Sequence, residues 1–269
     1  MTRRDRPVTA PPWPVAVPAA LALLFLGLPL LGLVVKAPWS RMWSLLTSPT
    51  SLDALRLSLV TSTAATGVAL VLGVPLAWLL ARGDFRGRGF VRALVTVPLV
   101  LPPVVGGIAL LLAFGRRGIL GQYLDSCCGV ALPFTTPGVV VAEAFVAMPF
   151  LVITVEGALC GLDTSLEDAA ATLGATRLTV FRRVTLPLIL PSIVAGLVLT
   201  FARALGEFGA TITFAGNLQG VTRTLPLAVY VGLEGDLSDA IALSLVLLGV
   251  SVVILVALRD QWLRTGASS

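Results

Sequence analysis

No histidine occurs in the 269 residues, and Lys36 is the sole lysine. The first absence removes zinc-protease motifs of the H-E-x-x-H type and most imidazole-based acid–base or triad chemistry. The second removes the phosphate-binding loop ending in Gly-Lys-Ser/Thr, because Lys36 follows Val35. The chain therefore cannot hold ATP through such a loop. No glycine-rich dinucleotide fingerprint follows a strand-like run. Enzyme activity is not expected, although an intramembrane carboxylate protease is not excluded by composition. Cysteine is also sparse: Cys127 and Cys128 are adjacent and Cys160 stands alone. That pattern suggests no disulfide framework and lacks the ligand number and spacing of a metal site. Neither a catalytic residue, a metal nor a cofactor is expected in this chain.

Charge is scarce too. Only 12% of residues are charged against 57% hydrophobic, and mean hydropathy is +0.97, a balance that belongs in lipid. Runs long enough for a bilayer core lie near 14–35, 54–81, 90–114, 137–158, 188–214 and 238–258. The expected fold is an all-α integral membrane protein with six transmembrane helices. Its membrane domain is 14–258, between tails 1–13 and 259–269. The first run is too long for a signal peptide and no small-residue cleavage pattern follows it.

Basic residues set the orientation. With the N-terminus inside, the cytoplasm receives Arg3, Arg4, Arg6, Arg82, Arg86, Arg88, Arg92, Arg177, Arg182, Arg183, Arg259 and Arg264. The outside receives only Lys36, Arg41, Arg116, Arg117 and Arg223. Both termini are thus expected to be cytoplasmic. The net charge of +5 is mainly a topology signal, and no nucleic-acid partner is expected.

One stretch, "EDAAATLGATRLTVFRRVTLPLILP" from Glu167 to Pro191, begins too charged for lipid. Thr164 with Glu167 fits a capping box, and Ser165 with Asp168 offers a second register. Ala169, Ala170 and Ala171 make a helix with little bulk, and Gly174 is a natural stop. Thr176 can cap a second helix carrying Arg177, Arg182 and Arg183. Small residues permit close approach by another protein, so the segment reads either as a docking element or as a solvated interfacial loop.

These residues resemble the "EAA" signature of ABC importer permeases. Asp168-Ala169-Ala170, Gly174, and Val184, Leu186 and Pro187 occupy its positions. Asp168 stands where Glu is usual, with Glu167 just before it, and Val184 stands for Ile. The resemblance implies that a coupling segment at about 164–187 docks on a cytoplasmic ATPase. From about residue 50 to 258 the chain is also similar to molybdate/tungstate permeases. The similarity is carried by "VPLVLPPVVGGIALLLAFGRRGILG" (97–121), "FARALGEFGATITFAGN" (201–217) and "TRTLPLAVY" (222–230). Sulfate/thiosulfate permeases carry a related "ARALGEFG" stretch.

The resemblance implies a type I ABC importer permease fold in the plasma membrane, moving molybdate or tungstate. It also implies an ATPase dimer that supplies ATP and Mg chemistry, a second identical permease and an extracytoplasmic oxyanion-binding protein, all amid membrane lipid. A sulfate permease is the alternative. A self-sufficient secondary transporter is a weaker one, because no half-to-half repeat is visible.

Inside the fifth span, Arg203 and Glu207 are four residues apart and share a helical face. They either pair to fix packing or line the pathway, for which Thr200, Thr211 and Thr213 would supply hydroxyls. Ser58, Ser62 and Thr66 form a polar stripe suited to helix contact. Gly106 and Gly107 beside Pro102 and Pro103 suggest a bend or close backbone approach. Glu143 and Glu156 are expected near the two interfaces.

Overall fold

The computed structural model describes residues 13–265, and within them all regular structure is helical. The expected tail 1–13 lies almost wholly outside the described residues. Of the tail 259–269, only a helical backbone to Thr265 is described.

Among the described residues, five helices are long and apolar enough to cross a membrane. The first is α1 (Trp13–Val35), which has no buried residue and exposes Leu23, Phe25 and Leu31 all round. An apolar helix without a buried face is a lipid-exposed one. After the short α2 (Met42–Leu46), α3 (Pro49–Arg82) starts on Ser48, whose hydroxyl accepts the Ser51 N–H. It runs 34 residues.

The expected third span is a broken one. It divides into α4 (Arg88–Val100) and α5 (Pro103–Phe114), separated at Leu101 and Pro102. Leu101 and Pro102 are extended, because the residue before a proline is pushed out of the helical region and here two prolines follow one another. A short outer helix, α6 (Gly121–Cys128), leads to α7 (Thr136–Cys160), capped by the Thr135 hydroxyl.

Helix α7 is the axis of the molecule, packed against α3, α5, α10 and α11. On α3, Thr61, Ala65, Ala69, Gly73 and Ala77 recur every fourth position and are all buried. This narrow seam lets the α3 and α7 backbones approach closely, as helices in lipid require. A Cβ at Gly73 would come within 3.3 Å of Val152. Helix α10 meets α7 in the same manner through Gly196, where a Cβ would lie 2.8 Å from Leu151. The main apolar core, including Leu80, Leu151, Val155, Leu159, Ile189 and Ile193, fills the junction of the three helices.

Two short helices, α8 (Ser165–Thr172) and α9 (Arg177–Val180), precede α10 (Leu186–Leu205). A π-helical turn at Phe181–Thr185 joins α9 to α10, so Arg177–Leu205 forms one 29-residue helical rod. The expected fifth span also breaks: α10 stops at Leu205, and α11 (Gly209–Phe214) follows. Helix α11 packs on α5 through Gly107, where a Cβ would lie 2.6 Å from Thr213, and through Gly209, where one would lie 2.5 Å from Pro103. The close backbone approach expected at Gly107 is thus present. A hairpin of α12 (Leu225–Glu234) and α13 (Leu237–Thr265) completes the fold.

Candidate functional site

The segment outside the lipid-like helices has a definite geometry. Helix α8 ends on Leu173, and Gly174 adopts φ +84°. The Ala175 N–H bonds the Ala170 carbonyl and the Gly174 N–H bonds that of Ala171. This is the Schellman arrangement, in which glycine takes the left-handed position. Thr176 caps α9 as expected, accepting the Thr179 N–H at 3.3 Å.

At the start of α8 the sequence reading needs correction. Thr164 makes no side-chain cap, and neither capping-box register forms. The cap comes from Asp163 Oδ1, which accepts the Ser165 N–H at 2.9 Å. That hydrogen bond holds the Asp163 carboxyl below the usual carboxylate range. Glu167 is not free to close a box because it is engaged elsewhere.

Glu167 is the centre of the segment. Its Oε1 accepts the Thr185 hydroxyl at 2.7 Å, and its Oε2 lies 3.3 Å from Arg82 Nη2. Both partners of the ion pair are largely buried. Thr185, fully buried, ends the π turn just before α10, and Arg82 ends α3. One carboxylate thus ties α8 to the inner ends of two membrane helices. A charge-assisted hydrogen bond contributes about 1.5–3 kcal/mol when sheltered, against about 0–1 kcal/mol for an exposed pair.

Asp168, placed in the acid position by the sequence reading, is exposed, and its side chain has no partner among the described residues. Ala169 is exposed, Ala170 half-buried, and Gly174 has open space around it. They form a surface with nothing protruding. Val184 lies in the π turn, Leu186 packs on the main core, and Pro187 sits in the first turn of α10, where its missing N–H costs nothing.

Nearby, Arg92 of α4 donates to Glu156 of α7 through Nε at 2.9 Å and through Nη2. Glu156, expected at an interface, is therefore a fixed anchor for α4. No local pattern signalled it, since the partners are 64 residues apart.

In the membrane interior Arg203 and Glu207 do pair, at 2.6 Å. The helix ends between them, and Glu207 Oε1 also accepts the Ala210 N–H at 2.9 Å. Glu207 thereby neutralises Arg203 and caps α11 across the break. Thr200 donates to the Gly196 carbonyl and Thr213 to that of Gly209, both at 2.8 Å. Thr211 is buried without a hydrogen-bond partner.

Ser58 serves helix contact as expected, accepting the Leu225 N–H at 2.7 Å at the start of α12. Thr66 bonds within its own helix. Glu143 is 1% exposed and accepts the Thr61 hydroxyl at 2.9 Å, a contact that no local pattern signalled. It is a buried link between α3 and α7.

Comparison with known proteins fits this geometry. The molybdenum transport system permease protein ModB of Mycobacterium tuberculosis (strain ATCC 25618 / H37Rv) is 50% identical over 248 residues, covering 92% of this chain and 93% of that protein. The sulfate transport system permease protein CysT of Salmonella typhimurium (strain LT2) is 38% identical over 247 residues, covering 90% and 89%. Among solved structures, a bacterial alginate ABC transporter in complex with an alginate pentasaccharide-bound periplasmic protein contains a chain that superimposes with a TM-score of 0.73. That match has 21% identity and covers 94% of both chains. The fold is that of a type I ABC importer permease. Residues 73–265 match the binding-protein-dependent transport system inner membrane component family, and to that family of membrane permeases this chain belongs.

Proposed function

We propose that this protein is the permease subunit of an ATP-driven importer whose cargo is molybdate or the isosteric tungstate. The observation that carries the reading is the coupling segment: a smooth alanine surface on α8, joined through Glu167 to α3 and α10. Such an element has a use only if something outside the membrane pushes on it. The 50% identity to a molybdenum permease over nearly the whole chain supports the cargo. Sulfate, favoured by a relative at 38%, is the second reading.

The partners follow from chemistry. The chain holds no phosphate-binding loop, so a separate ATPase supplies ATP and Mg chemistry, and its nucleotide-driven closure moves α8. One coupling segment per chain calls for a second permease, and an identical copy places the pathway on a two-fold axis. An extracytoplasmic oxyanion-binding protein delivers cargo to the outer loops. This places Gly87 and Thr176 in the cytoplasm, both termini with them, and Gln122 outside.

Motion at α8 reaches the membrane by two rigid routes, Glu167 to Arg82 on α3 and Glu167 to Thr185 on the α9–α10 rod. The residues of this chain therefore transmit force, and bond-making is left to the partner. Uptake of labelled molybdate by vesicles holding the reconstituted complex, with sulfate as competitor, tests the assignment. Molybdate uptake that resists a hundredfold excess of sulfate is expected. Sulfate uptake inhibited weakly by molybdate would transfer the assignment to sulfate.

A further inference from the structure

A cleft of about 440 Å3 opens between α3 and the start of the α9–α10 rod, lined by Val74, Pro75, Trp78, Leu178, Phe181 and Arg177. Trp78 and Phe181 meet edge to face with ring centroids 5.0 Å apart, at one side of the cleft. Pro75 and Leu178 are exposed, as is Arg177. The lining is therefore an apolar slot with one cation. Among the described residues Arg177 forms no ion pair and no side-chain hydrogen bond. Glu167 of the coupling segment is already engaged by Arg82 and Thr185.

The level of the cleft is set by the sequence. The apolar run of α3 ends just past Trp78, and Arg82, Arg86, Arg88 and Arg92 follow. On the other wall Arg177, Arg182 and Arg183 precede the apolar run of α10. Both walls thus pass from apolar to basic at the same depth, which is where headgroups lie and where tryptophan concentrates. A basic side chain beside an apolar slot between membrane helices matches an anionic headgroup with its acyl chain.

We infer that this cleft binds an anionic phospholipid, with its acyl chain in the slot against Trp78 and Leu178 and its phosphate on Arg177. The lipid lies against the wall that carries the π turn and Thr185. It therefore links the composition of the leaflet to the element that transmits movement into α10. The inference rests on the membrane placement of α3 and α10 and is independent of the cargo.

The test uses the permease, with whatever subunits co-purify, in nanodiscs of symmetric composition, so that orientation plays no part. Phosphatidylglycerol and phosphatidylcholine, each with a diazirine in the acyl chain, are photolysed in parallel, and labelled peptides are identified by mass spectrometry. Peptides containing Trp78 or Leu178 should be labelled about fivefold more by the anionic lipid, the factor one basic side chain at an anionic surface supplies. Arg177→Gln should remove that preference while leaving total labelling similar. Leu178→Trp, which fills the slot, should lower labelling by both lipids. Equal labelling by the two lipids, a preference that survives Arg177→Gln, or cross-links from a photoreactive side chain at position 178 to another protein subunit would each overturn the proposal.

Discussion

At the scale of single residues, Glu167 carries more of the coupling segment than any other side chain. Removing it as Glu167→Ala leaves Arg82 without its acid and the buried Thr185 hydroxyl without its acceptor. The expected cost is on the order of 2 kcal/mol, with uptake falling more than stability because the two routes to α3 and α10 are cut together. Glu167→Gln, which keeps an acceptor for Thr185, should retain more thermal stability than the alanine variant. Asp168→Ala should leave the thermal stability of the isolated permease nearly unchanged, since Asp168 is exposed. Thermal melting and vesicle uptake on the three variants check the ranking.

Asp163 adds a pH dependence of known sign. Its carboxyl sits below the ordinary range in the folded chain, so the α8 cap is present at neutral pH. The cap is lost as pH falls through that lowered value. Proteolysis within α8 during acid titration should rise there in the wild type and be raised at all pH values in Asp163→Ala.

Elements decide how these residues act. The bend between α8 and α9 needs a left-handed backbone at Gly174, with φ +84°. A β-branched side chain there costs on the order of 1–2 kcal/mol from backbone strain, although no neighbouring atom would clash. Gly174→Val should therefore lower ATPase co-purification and uptake, and Gly174→Asn should be milder, because asparagine tolerates that conformation. Equal effects of Val and Asn would show that space, not backbone conformation, is limiting.

The break between α10 and α11 has its own test. Arg203→Leu leaves Glu207 charged and unpaired at membrane depth, at a cost of about 2.5–3.5 kcal/mol. Arg203→Leu with Glu207→Gln removes the charge and keeps an acceptor for the Ala210 N–H, so it should recover stability better than the double leucine variant. Melting temperatures of the three settle the order. Recovery of uptake along with stability assigns the pair to packing, and recovery of stability alone assigns it to the pathway.

For the whole molecule, topology is the prediction that everything else rests upon. Cysteines placed at Gly87 and Thr176 in a cysteine-free background should react only from the cytoplasmic side, and one at Gln122 only from outside. The broken third span makes this a demanding test. Its halves α4 and α5 are 13 and 12 residues long, each too short to cross alone at 1.5 Å per residue. To cross they must act in series, α4 fixed to α7 by Arg92 and Glu156 and α5 seated on α11 by Gly107. Labelling of Gln122 from the inside would mean that the pair re-enters the membrane instead of crossing it.

The sequence alone determined the features that depend on local or one-dimensional physics. These are the apolar runs, the basic asymmetry around them, the glycine stop at position 174, the Thr176 cap and the i,i+4 spacing of Arg203 and Glu207. Each follows from neighbours within a turn or from the thickness of a bilayer, so each is legible without a fold. Tertiary structure decided the rest. Arg82 and Glu167 are 85 residues apart, and Thr61 and Glu143 are 82 apart. Whether such groups meet depends on helix packing, which no local pattern encodes. The same packing buried Glu143 against Thr61. It drew Glu167 away from the capping box, because an arginine and a buried hydroxyl offer a carboxylate more than a backbone N–H at an exposed helix end.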